Sequence, residues 1–258
     1  MINVKQTTAS FSRSMRIFLR DKAIFGSSIF IPIFFLVVLP QVLFHDAPTS
    51  VMPMLKGYLI VSMVVLLIMT TGMSNLAGSI AADRDHDLYS KLSSMPIKPW
   101  SESLGRILTV MVFSAMGSTV LTIIGLVVGA QVVVATIDFL LVLGIGFVIM
   151  LTVSGIGFII ASFVRSESAA SHVGVAIVLV NYFIGVAFPY SDLPEVLKVV
   201  ARINPIVSGS NMITSLVLGQ DFVGYNPFNF LDVGLMLSLS GIFFIIGLFV
   251  YSRFCWRR

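Results

Sequence analysis

Six long apolar runs separated by short polar stretches dominate the chain, at residues 23–44, 57–80, 107–129, 139–163, 171–188 and 232–252. Each comes close to the ~20 residues that an α-helix, rising about 1.5 Å per residue, needs to cross about 30 Å of hydrocarbon; the fifth is the shortest. Segments such as FLLVLGIGFVIMLTV lack the alternation of a β-barrel strand. The runs therefore predict an all-α membrane protein of six transmembrane helices, because a helix closes its backbone hydrogen bonds within its own segment.

Shorter patterns flank the runs. Residues 1–22 read as an interfacial helix: at about 100° per residue Phe11, Met15 and Phe18 share one face and Arg13, Arg16 and Arg20 the opposite one, which places the apolar face in lipid. The same periodicity suits a partner-binding helix. Residues 81–106 hold the most charged stretch, AADRDHDLYSKLSSMPIKPW, in which Asp83 with Asp87 and Arg84 with Lys91 recur at helical spacing. A short exposed helix is expected over 83–94, ended by Pro96 and Pro99, with Ser101 and Glu102 opening the next one. Within residues 189–231, Leu193, Val196, Leu197, Val200 and Ile203 predict a capped amphipathic helix over 192–203 with Pro194 in its first turn. Asn204-Pro205 breaks it. Residues 206–218 are apolar but too short to span, and suit a re-entrant segment packed against protein.

Composition agrees with this picture, since 57% of residues are hydrophobic and 11% charged, where a soluble domain has about 25% charged. The net charge of +4 collects at segment ends and implies no nucleic-acid partner. Lys5, Arg13, Arg16, Arg20, Lys22, Arg84, Lys91, Lys98, Arg106, Arg165, Arg253, Arg257 and Arg258 fall on one side of the six-span topology; Lys56, Lys198 and Arg202 fall on the other. By the positive-inside rule both termini are cytoplasmic. The first run is too long for the apolar region of a cleaved signal peptide and no small-x-small site follows it, so it reads as an uncleaved span. The single cysteine, Cys255, has no internal partner for a disulfide.

The loop and the 189–231 region together carry a resemblance. Asp83, Arg84 and Asp85, followed by a Leu-rich turn and Met95-Pro96-Ile97, resemble the cytoplasmic loop of type-2 ABC exporter permeases, whose usual form is Glu-Arg-Glu-x-Gly, then Leu residues and Thr-Pro-Ile or a relative. FPYSDLPEVLKVVARINPI, residues 188–206, is similar to that family's stretch between its fifth and sixth spans, with Pro189, Leu193-Pro194 and Asn204-Pro205 in order. Both loop glutamates are aspartates here, and Asp87 stands at the Gly position. The resemblance covers essentially the whole chain and implies a single permease domain, residues 1–258, in a prokaryotic plasma membrane. Two copies, or one copy with a homologous permease, would assemble with separate ATPase subunits that hold ATP and Mg. It further implies an ATPase-coupling element at Asp83, Arg84, Asp85, Asp87, Leu88, Lys91 and Pro96, and an external gate at Pro189, Leu193, Pro194, Asn204 and Pro205.

Other readings are less favoured by the residues. The chain lacks the G-x-x-x-x-G-K-[ST] phosphate loop and any Gly-Lys dipeptide, so ATP hydrolysis belongs to another chain. Between the end residues of the six runs there is no Asp, Glu, Lys or Arg, and only His172 titrates there, which disfavours an ion-coupled transporter. A metal site at Asp83, Asp85, His86 and Asp87 is disfavoured by adjacency in sequence and by Arg84 among them. Ser154 and His172 lack the G-x-S-G element of an intramembrane protease. No catalytic, cofactor or metal residues are assigned. The substrate expected from charge-free spans is apolar or amphipathic: a drug, a lipid or a lipid-linked glycan. The alternative is a non-transporting membrane scaffold or assembly factor, in which the charged loop only fixes topology.

Overall fold

The computed structural model describes residues 4–43, 48, 51–95, 97–132 and 134–256, and all regular structure among them is helical. Helix α1 (Val4–Arg20) packs along one side and leads into α2 (Lys22–Phe25), a π-helical turn (Gly26–Phe30) and α3 (Ile31–Leu43). α4 (Met52–Met69), a second π turn (Thr70–Asn75) and α5 (Leu76–Asp85) form one rod, followed by the short α6 (Leu88–Ser93). α7 (Pro99–Val127), α8 (Thr136–Phe163) and α9 (Glu167–Gly185) come next. A 3-10 turn (Tyr190–Asp192), α10 (Glu195–Ile203), α11 (Pro205–Leu218) and α12 (Gln220–Val223) precede α13 (Phe230–Phe254).

The Met52–Asp85 rod, α7, α8, α9 and α13 are long and apolar enough to cross a membrane. The first apolar run supplies a shorter stretch, Ser28–Val42, within a helical path that continues through the first π turn. The chain is a multi-pass membrane protein. Its 34-residue rod exceeds the predicted run of 57–80 at both ends and is the most enclosed of the long helices.

Close backbone approach holds the bundle, as expected where lipid removes the hydrophobic incentive for helices to associate. α8 and α13 meet at glycines: a Cβ on Gly247 would lie 2.3 Å from the Gly155 carbonyl oxygen, and one on Gly155 would lie 2.5 Å from that of Phe243. α8 also presses on the second π turn, where a Cβ on Gly157 would come within 2.1 Å of the Gly72 oxygen. In that turn Thr70 and Thr71 donate their hydroxyls to the Leu66 and Leu67 carbonyls at 2.6 and 2.7 Å. Such local bonds are one way a helix accommodates a widened, i→i+5 turn.

Two ends of the bundle differ in chemistry. At the basal end lie α1, α6 and the C-terminal turn of α13. At the distal end α10 and α11 fold back on each other at Asn204, whose side chain accepts from the Ile206 and Val207 amides and donates to Asn181 at 2.7 Å. Pro205 then occupies the first position of α11, where its missing N–H costs nothing. α11 is buried along most of its length, packed on α8, α4 and α13.

Helix α10 starts later than the residue pattern predicts. Pro189 and Pro194 both hold extended ψ values, 142° and 148°, so the helix begins at Glu195 and Pro194 is its cap, outside the first turn. Its apolar stripe is also divided. Leu193 and Leu197 pack against the core, whereas Val196, Val200 and Ile203 are exposed.

Gly157→Ala therefore overpacks the junction of α8 with the π turn and lowers stability by about 1–3 kcal/mol, read as a drop in the melting temperature of the purified protein in detergent. Gly144→Ala, whose Cβ meets nothing within 4 Å, leaves that temperature unchanged.

Candidate functional site

The α5–α6 junction turns on Asp87. α5 ends at Asp85, His86 leaves helical geometry, and Asp87 takes the left-handed conformation, φ 53° and ψ 25°, before Leu88 starts α6. Asp87 is the sole non-glycine with positive φ among the described residues. Glycine adopts this conformation without steric cost, and Asp is one of the few other residues that tolerates it. The expected continuous helix over 83–94 is corrected to two helices, because a left-handed residue cannot propagate a right-handed one.

Beneath that junction lies a buried charge network. Arg106, 1% exposed, donates Nε to Glu102, Nη2 to Asp83 and Nη1 to Ser79 Oγ at 3.4 Å. Asp83 also accepts from Arg13 of α1, and the second oxygen of Glu102 accepts from the Tyr251 hydroxyl of α13. With its proton committed there, Tyr251 accepts from the hydroxyl of Tyr89 at 3.0 Å. Two arginines and two carboxylates balance, as a buried cluster requires. The chain of bonds runs from Tyr89 on α6 through α13 and α7 to α5 and α1. Burial pushes the Tyr89 phenol well above its ordinary value, so it stays neutral and able to donate.

The loop residues singled out by sequence separate into two sets. Asp83 and Arg84 point into the bundle: Asp83 belongs to the network, and Arg84 donates to the Ala161 and Ser162 carbonyls at 2.5 and 3.1 Å. There it satisfies carbonyls left open at the end of α8 and complements the helix dipole. Both lie on the last turns of the rod, so their expected place on an exposed helix is corrected. Asp85, Asp87 and Lys91 are exposed, and Leu88 is half-buried. Pro96 lies outside the described residues. Met95, just after α6, and Trp100, in the first turn of α7, are exposed as well.

On α1, Phe18 is buried edge-on against Phe113 of α7, with ring centroids 5.5 Å apart, so this part of the apolar face meets protein where lipid was expected. Ser10 donates to the Glu102 carbonyl at 2.9 Å, and Thr109 of α7 to that of Phe11 at 3.3 Å. Phe11 and Met15 are half-buried. Arg13 leaves the polar face for Asp83; Arg16 and Arg20 remain exposed.

At the distal end Leu193 packs beside Gly185, and Asn204 with Pro205 forms the α10–α11 corner; Pro189 and Pro194 bracket the turn before α10. Sequence reading missed what ties this region to α13. Asp232, fully buried, receives Arg202 on both oxygens at 3.0–3.2 Å and Asn229 at 2.7 Å. Arg202 also lies 5.3 Å over the ring of Tyr225, a cation–π contact. Burial raises the Tyr225 phenol to about 12.

The other residues missed are Tyr89, Glu102, Arg106 and Tyr251. Glu102 and Arg106 do carry a signal, the i,i+4 spacing of opposite charges at the head of an apolar run. The buried charges sit in the end turns of the long helices, and their middles stay free of charge.

Arg106→Gln leaves Asp83 and Glu102 buried without their shared cation and costs about 3–5 kcal/mol. Arg16→Gln, at an exposed site, stays within about 0.5 kcal/mol of the parent. Thermal unfolding of the two purified variants measures both.

Residues 5–218 match the family model described as ABC-2 type transporter. No individually curated protein matches the chain. Matched over most of its length, the chain belongs to the ABC-2 type transporter family, the membrane-spanning component of ABC transporters.

Proposed function

We propose that this chain is the permease subunit of an ABC exporter, forming the substrate pathway with a second copy or a homologous permease and driven by separate ATPase subunits that bind ATP and Mg. The basal end is cytoplasmic, as the distribution of Lys and Arg favours, and the membrane is a prokaryotic plasma membrane. Asp85, Asp87, Lys91 and the neighbouring Met95 and Trp100 offer a mixed polar and apolar face to the ATPase. This chain has no phosphate loop of its own.

One observation carries the reading: α6 presents an exposed face while its Tyr89 is buried in the network that joins α13, α7, α5 and α1. Force applied to α6 by a closing ATPase enters the bundle through hydrogen bonds and packed rings, since Tyr89 also lies 6.1 Å from Tyr251 and 5.6 Å from Trp256 between ring centroids. Packed interfaces switch between discrete arrangements instead of deforming continuously, which suits a lever. The pathway between two such bundles would be lined by helix middles without ionised groups, favouring an apolar or amphipathic substrate such as a drug, a lipid or a lipid-linked glycan. Neither a catalytic residue nor a cofactor of this chain enters the scheme.

The tagged chain should co-purify with an ATP-binding subunit; absence of such a partner under mild extraction rejects the proposal. In the reconstituted complex Tyr89→Phe keeps the ring and removes the hydroxyl. Assembly persists, and substrate transport per ATP hydrolysed falls severalfold. An unchanged ratio rejects Tyr89 as the link.

A further inference from the structure

The arginine row of α1 is left partly unused by the network. On a helical wheel Arg13, Arg16 and Arg20 fall within about 60° of one another. Arg13 is committed to Asp83, but Arg16 and Arg20 are exposed and make no hydrogen bond or ion pair among the described residues. They line an open recess of about 690 Å³ together with Arg13, Ser12, Ile17 and the carboxylate of Asp21. Leu19, about 60° from Arg16 around the helix, is apolar and 48% exposed. Phe25, at the entrance to the first span, is likewise exposed.

We propose that Arg16 and Arg20 bind the phosphate of anionic phospholipid headgroups, which selects the lipid around the first span and seats α1 on the cytoplasmic leaflet. Guanidinium groups match phosphate oxygens in pairs, and a basic helix next to a span meets the headgroup layer at short range. One bound lipid satisfies both sets of side chains at once, phosphate on the arginines and acyl chain against Leu19 and Phe25. A soluble acidic protein on the arginines would leave Leu19 and Phe25 in water. The cytoplasmic placement rests on the function proposed above; headgroup binding itself does not.

The test uses the full chain in nanodiscs of phosphatidylcholine, doped with spin-labelled phosphatidylglycerol or spin-labelled phosphatidylcholine. Electron paramagnetic resonance reads the protein-bound, motionally restricted fraction of each. The parent prefers phosphatidylglycerol by about fivefold or more, the scale expected for one or two basic groups at an anionic surface. Arg16→Gln with Arg20→Gln reduces the preference to near one, and Arg16→Lys with Arg20→Lys retains part of it. Both sites are exposed, and an unchanged elution profile and melting temperature show that the bundle is intact. No preference in the parent, or the same preference in the Gln variant, overturns the proposal. So does a Gln variant that keeps the preference and loses a co-purifying ATPase subunit, which would assign the row to protein. Loss of the ATPase partner from the parent sinks the permease reading and leaves the lipid measurement standing.

Discussion

Arg106 is held between Glu102 and Asp83, and the basal half of the bundle is organised around that contact. A guanidinium taken out of water must recover its hydration from fixed partners, and here it does so with two carboxylates and a serine drawn from α7 and α5. Those carboxylates have capacity left over. Asp83 spends it on Arg13 of α1, and Glu102 on Tyr251 of α13. Five helices are thereby tied into one unit by the need to leave no buried charge unpaired, with Tyr89 bringing α6 into it.

The distal end uses the same device on a smaller scale. Arg202 and Asp232 clamp α10 to the first turn of α13, with Tyr225 stacked beneath the guanidinium. Between the two ends the helices meet through close glycine contacts and apolar side chains, with no ionised group among the described residues. A bundle built in this way is polar and bonded at both ends and apolar through its middle.

The apolar runs were legible in the sequence because spanning length and absence of charge are local properties. So were α1, the Asn204-Pro205 corner and the presence of a break after the second span. Tertiary pairing was not. Arg106 stands one residue outside an apolar run and reads as a topology signal until Asp83, 23 residues away, is seen to face it. Tyr89 lies in a charged segment, where an aromatic has no periodicity to mark it as buried. Asp83 and Arg84 shared the composition of the loop but belong to the rod, since only the left-handed turn at Asp87 shows where the rod stops. The lipid-facing role expected for Phe18 gave way to Phe113, a ring 95 positions away that no local pattern pairs with it.

In the proposed mechanism α6 and the basal end of α13 form a single mechanical body. Spin labels at Lys91 on α6 and Arg253 on α13, both exposed, measure this directly by double electron–electron resonance in the proposed complex with an ATPase, with and without a trapped nucleotide. One narrow distance, the same in both states, is expected, while the separation between the α6 helices of the two permeases in the proposed assembly changes. A Lys91–Arg253 distance that shifts or broadens on nucleotide binding would show α6 swinging free of the bundle and would contradict the account.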